Sequence, residues 1–271
     1  MKAGRRLSWI TTGGLFAVVI GLGTVLQTGP GRSATCALSP HHGGDAFPVE
    51  RVDPDWVCRL QAVIDNHTTA GKVGPMRAAL SQAMYQYLLD RPPLAAALIN
   101  RLDLGLYKSE ARGQGRFWGD DGEGTRGMVH LVYQDRRSRI YYLEGAHNSR
   151  LLPNITGKAV VFLKMDPVRD ANGIEAMDST LVSYTKLDNR ILSGLVSLLR
   201  PLVGGIVTRK LQKGVESVNR LGQLMRQHPE RVLFEAMDPP ALPSDDVAML
   251  KEALGSVRSS GSADQRKIPT P

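Results

Sequence analysis

Hydrophobic positions change their spacing three times along this 271-residue chain. Residues 9–26 form one unbroken apolar run behind Lys2, Arg5 and Arg6. Over residues 55–102 apolar side chains recur at helical spacing, over 106–187 they alternate, and over 190–227 the helical spacing returns. A period near 3.6 marks an amphipathic helix and a period of 2 marks a half-buried strand.

The first helical block divides into three. A helix is predicted over 55–66, with Trp56, Leu60 and Val63/Ile64 on one face. A second begins near Pro75, a residue suited to a first helical turn, and carries Met76, Leu80, Met84, Tyr87 and Leu88. A third follows Pro92-Pro93 over 94–102. The alternating block predicts five strands, at 106–113 continuing to 118, then 124–134, 138–149, 155–165 and 176–187. Asp120-Asp121-Gly122 and Asp135-Arg136-Arg137 are tight-turn sequences, so neighbouring strands should pair antiparallel. The last helix should kink at Pro201 and Gly204-Gly205.

These elements predict an α+β fold, a curved antiparallel sheet of about five to six strands packed on a long C-terminal helix. Four segments result: 1–35 as signal peptide or membrane anchor, 36–72 as tether and first helix, 73–235 as the α+β domain, and 236–271 as a mostly disordered tail with a short helix at 247–257.

Helices, then antiparallel strands, then one long kinked amphipathic helix: over about residues 73–228 this order resembles the START-like, polyketide-cyclase and lipid-transfer (SRPBCC) superfamily. Its helix-grip fold wraps a sheet around the C-terminal helix and leaves a cavity between them. The resemblance rests on element order and the last helix, without a diagnostic motif. Members also place a strand before the paired helices, and here only the poor candidate 68–73 stands there. NTF2-like and other phospholipid-shuttle folds share the curved sheet but do not usually end in so long a helix.

The apolar run changes where such a domain should reside. Its eighteen residues include Thr11, Thr12, Thr24 and four glycines. That is short for a span of roughly 20 residues and long for a signal core of about 7–15. The basic flank belongs on the cytoplasmic side, so the remainder should be exported. The expected location is a bacterial inner membrane facing the periplasm, or the periplasm itself if the run is cleaved. Two cysteines, Cys36 and Cys58, then read as a single disulfide pinning the N-terminal segment to the first helix, or else as free thiols. With His41 and His42 they match no zinc spacing.

Charge adds a candidate partner. The net charge is +8, and eight Lys/Arg fall between Arg190 and Arg231 against Glu216 and Glu230. In an exported protein these meet phospholipid headgroups rather than nucleic acid. Arg200, Arg209, Lys210 and Lys213 are the membrane-contact candidates, the alternative being a solvated helix face.

Several strands do not separate apolar from polar residues by parity, as a sheet packed dry on one face would. Mixed faces suit a partly polar pocket. Glu144, His130 and His147 lie on adjacent predicted strands and could converge, with Tyr142, Phe162, Leu195 and Leu199 as lining residues. The carboxylates of 120–124 lack the ligand spacing of a calcium loop. The chain has no Gly-x-Ser-x-Gly elbow, His-Glu-x-x-His, phosphate loop or dinucleotide fingerprint. No cofactor or metal is implied. The expected function is binding of a lipid or other hydrophobic small molecule. The alternatives are a cyclase- or hydratase-type enzyme using a His/Glu pair, and a non-catalytic envelope interaction protein with a filled interior.

Overall fold

The computed structural model describes residues 36–148, 155–170, 173–188 and 196–264, the side chains of 196–203 and 256–264 excepted. The apolar run at 9–26 lies outside them. Among the described residues, no helix is long and apolar enough to cross a membrane.

A small arm, β1 (His41–His42) and β2 (Asp45–Ala46), precedes α1 (Pro54–Ile64). Then come β3 (Thr69–Ala78), α2 (Gln82–Asp90) and α3 (Pro92–Arg101). Six strands follow: β4 (Lys108–Ala111), β5 (Arg116–Asp120), β6 (Thr125–Gln134), β7 (Ser138–His147), β8 (Ile155–Arg169) and β9 (Glu175–Leu187). Three helices close the chain, α4 (Val196–Gln227), α5 (Pro229–Met237) and α6 (Ser244–Asp264). The main sheet has seven antiparallel strands in the order β3-β9-β8-β7-β6-β5-β4, so its first strand in sequence pairs with its last. Strand, helix pair, six strands and long helix is an order consistent with a helix grip.

β3 replaces the expected start of a helix at Pro75. The strand survives its proline because the register slips between Val73 and Met76, where the extra residue of a bulge leaves the ladder unpaired. Gly74 sits there at φ +111°, and a Cβ on it would lie 2.4 Å from the Ser179 carbonyl oxygen. Met76 therefore belongs to the strand, and helix α2 starts only after Ser81, whose side chain accepts from the Met84 amide at 3.3 Å. The single strand expected at 106–118 is a hairpin, β4 and β5, turned at Gly113 and Gly115, both with positive φ.

The sheet carries helices on both faces. On the inner face Leu163, Met165 and Met177 pack with α2, α3 and the closing helices through Leu98, Leu221, Met225 and Val232. On the outer face Ile140, Val160, Phe162 and Val182 pack with Leu60 and Val63 of α1 and with Phe47 of the arm. Residues 36–72, expected as tether and first helix, thus build an outer layer and the first strand. Asp45 fastens the arm by ion pairs to Lys72 at 2.7 Å and Lys164 at 3.0 Å. A disulfide joins Cys36 to Cys58 of α1, with Cα atoms 5.1 Å apart.

The end of the chain differs from the mostly disordered tail expected. Val232 and Ala236 of α5 and Leu250 of α6 are fully buried in the inner core, and Asp246 accepts from Tyr87 at 2.8 Å and Arg91 at 2.7 Å. Polarity of composition had concealed an apolar stripe of a few residues.

Candidate ligand-binding site

Strand parity, read through the register, sorts the candidate residues between the two faces. His130, Tyr142, Glu144 and Phe162 all project from the outer face, beneath α1. The Trp56 ring of α1 lies 5.3 Å from both the His130 and Tyr142 rings. Tyr142 donates its hydroxyl to Glu144 Oε1 at 2.7 Å, and Lys158 Nζ lies 3.2 Å from the same oxygen. The Tyr142 hydrogen bond, with help from Lys158, holds the Glu144 carboxyl below its usual range. Burial pushes the His130 imidazole down against the opposing effect of Glu144. Glu144 and His130 do come together, then, but the carboxylate is already satisfied. Phe162 is fully buried and stacks on the His42 ring, centroids 4.0 Å apart. It is a core residue, with no free face to offer a ligand.

His147 leaves the sheet on the inner face, hydrogen-bonded through Nδ1 to Thr125 Oγ1 at 2.9 Å. The expected convergence of three groups therefore fails for His147. Lys210 and Lys213, expected to meet a membrane, are engaged by Asp121 and Glu123 of the β5–β6 turn. These pairs clamp the turn to α4 and account for the acidic cluster, whose Asp121 Oδ1 also accepts from the Glu123 and Thr125 amides. Arg209 is exposed. Leu195 lies outside the described residues, as do the side chains of Leu199 and Arg200. Among the described residues no cluster could hold a metal ion.

The inner face is organised in rows across the strands. Gly119, Gly127, Gly145 and Gly157 stand opposite one another on β5, β6, β7 and β8. The next row on that face is Phe117, Val129, Leu143 and Ala159, and beyond it come Leu131, Tyr141 and Val161. Phe117, Val129, Leu131, Leu143 and Ala159 are only half-buried. At Gly127, Gly145 and Gly157 a Cβ would meet backbone of the neighbouring strand at 2.3, 2.6 and 2.7 Å, so the glycines serve close approach of the strands, and the rows beside them are apolar.

At the α2 end the face meets a recess of about 440 Å³, walled by Leu89 and Asp90 of α2, Gln114 and Gly115 of the β4–β5 turn, and Phe117, Leu131 and Gln134 of the sheet. Small-molecule sites commonly measure about 300–1,000 Å³ and combine apolar walls with a few polar groups. α4 packs chiefly on β3, where Thr208 comes close to Gly71, so it covers one side of the sheet rather than this end.

The glycine row escaped the sequence reading, although each glycine was visible. Only the pairing register shows that four strands contribute to one line. Arg139, opposite Gln134 and beneath α2, has no sequence signal of its own beyond its place just after the Asp135-Arg136-Arg137 turn.

No family model and no curated protein matches the chain. Among solved structures, the chain is similar to a conserved protein from Geobacillus kaustophilus at 11% identity and a TM-score of 0.41, over 57% of this chain and 93% of that one. It is also similar to norcoclaurine synthase from Thalictrum flavum at 15% identity and a TM-score of 0.38, over 62% and 92%. A third is the di-domain ARO/CYC StfQ from the steffimycin biosynthetic pathway, at 14% identity and a TM-score of 0.34, over 63% and 55%.

Proposed function

We propose that the protein binds a hydrophobic small molecule, a lipid among the candidates, along the inner face of its sheet. The observation that carries this reading is the half-buried apolar row Phe117–Val129–Leu143–Ala159 beside the in-register glycines. Covering such a row removes apolar surface from water, worth about 25 cal/mol per Å². Glu144 and His130 do not serve this face, because both lie on the other side of the sheet.

The same proposal places the domain outside the cytoplasm, held at or released from a membrane by residues 1–35. The Cys36–Cys58 disulfide supports that placement, since disulfides persist in oxidising compartments. Arg209 and Arg200 remain the candidates for contact with anionic lipid.

Native mass spectrometry with solvent extraction, on protein isolated from the exported fraction, tests the binding. A co-purifying hydrophobic mass is expected, reduced in an Ala159→Phe variant that crowds the apolar row. A clean apo mass, with no uptake of added alkyl ligands, would overturn the reading.

A further inference from the structure

The outer face of the sheet continues beyond the residues that α1 and the arm bury. One row across it runs Arg116–His130–Tyr142, and the next runs Trp118–Met128–Glu144–Lys158. Arg126 stands one position further along β6 on the same face, opposite Asp120 and Ala146. Trp118, Met128 and His130 are half-buried, whereas Arg116 and Arg126 are exposed. Trp56 of α1 borders this surface through its contact with the His130 ring. Arg59 is exposed beside it, its guanidinium 5.1 Å from the Trp56 ring centroid.

The charges on this face do not cancel. Glu144 is engaged by Lys158, and Glu110, opposite Trp118, is engaged by Arg112. Asp120 accepts from the Gly122 amide at 2.8 Å. Arg59, Arg116 and Arg126 form no ion pair among the described residues. Burial holds the His130 imidazole down, and the charges of Arg116 and Arg59 add to that. The surface therefore offers unpaired guanidinium groups around half-buried indoles.

We propose that this face, through Arg59, Arg116, Arg126, Trp56 and Trp118, docks on the surface of an anionic phospholipid bilayer. This rests on the membrane placement proposed above for residues 1–35, and it adds a contact surface to the arginines of α4. Tryptophan is enriched at membrane–water interfaces, and arginine is drawn to anionic headgroups. The same residue types suit a protein partner, and the path of the chain decides between the two. Cys36, where the described residues begin, is cross-linked to Cys58, next to Arg59 on α1. Residues 27–35 separate it from the apolar run, and even fully extended they reach at most about 35 Å. A domain held at a membrane by that run is thus held by its outer side.

The test uses the full-length chain incorporated in lipid nanodiscs. Trp9→Phe and Trp56→Phe leave Trp118 as the sole tryptophan, and lipid brominated on its acyl chains quenches that tryptophan on contact. Quenching in phosphatidylglycerol discs should exceed that in phosphatidylcholine discs severalfold, and added salt should reverse it, because salt screens surface charge. Arg116→Glu/Arg126→Glu should lower it to the phosphatidylcholine level with an unchanged urea midpoint, and Arg116→Lys/Arg126→Lys should restore it. Should charge reversal lower the midpoint, Arg59→Gln/Arg126→Gln reads the same loss. Arg209→Glu on α4 should leave the quenching unmoved. Equal quenching in the two lipids, or quenching that survives charge reversal, overturns the inference, and loss in Arg209→Glu alone gives the contact to α4 instead. No quenching in discs that have taken up the chain overturns it as well and leaves the face to an acidic protein partner. A chain that does not enter the discs overturns the membrane placement together with the docking. The hydrophobic-ligand reading of the inner face stands in each of these cases.

Discussion

Glu144 and His147, three positions apart on β7, leave the sheet on opposite faces. Glu144 meets Tyr142 and Lys158 beneath α1. His147 meets Thr125 on the side that α4 joins through Lys210, whose charge helps burial depress the histidine. Odd spacing in a strand always separates side chains in this way, so no acid–base pair can form between them.

The disulfide should matter for the outer layer. It closes a loop across a sequence separation of 22 residues, and such cross-links typically contribute about 2–4 kcal/mol. A Cys36→Ser/Cys58→Ser variant should lose unfolding free energy of that order in a urea titration, with a lower midpoint. Trp56 fluorescence should report loosening of α1 as well. An unchanged midpoint would show that the apolar contacts of Leu60 and Val63 suffice.

Acid should release the arm in two stages. Burial holds the folded pKa of His42 below its ordinary value, so the unfolded state binds the proton first. The stability from neutral His42 is present above about pH 6.5 and is lost as pH falls through its lower folded pKa. Asp45 is lowered by its hydrogen bonds to Lys72 and Lys164, so its contribution is present above about pH 3.9 and is lost below that. Amide exchange of residues 39–52 followed from pH 7.5 to 3 should accelerate in both windows. His42→Phe should remove the first and Asp45→Asn the second.

Gly74 should tolerate no side chain. At φ +111°, with Ser179 oxygen 2.4 Å from an added Cβ, Gly74→Ala combines backbone strain with a clash and should cost more than about 1 kcal/mol. Denaturant titration measures it. Gly173→Ala, also at positive φ but with open space around it, separates the strain from the clash.

The final helix should be structural. Leu250 is fully buried, and truncating such a leucine costs about 2–5 kcal/mol. Leu250→Ala should lower the melting temperature by several degrees. If residues 244–264 only trail from the domain, the melt will not move.

Much of the architecture was legible in one dimension because periodicity is local. Strands β6 to β9 and helix α4 fall where alternation and helical spacing put them. β3 was hidden because its signal is split by Gly74-Pro75, and a proline after a short alternation reads as a helix start until a neighbouring strand supplies the bulge. α6 was hidden because polar residues outnumber the few leucines that dock it. The candidate site divided along the same line. Alternation shows that a strand has two faces and which residues share each one, and it grouped Tyr142 with Glu144 correctly. It carries no information on which face a distant helix will cover. Here helices cover both, so Glu144, His130 and Phe162 went beneath α1 while the inner face fell to glycines and to Phe117, Val129 and Leu143. The line of four glycines and the burial of Arg139 are properties of pairing and packing. They come into being only when residues far apart in the chain are brought into register and α2 is laid over them.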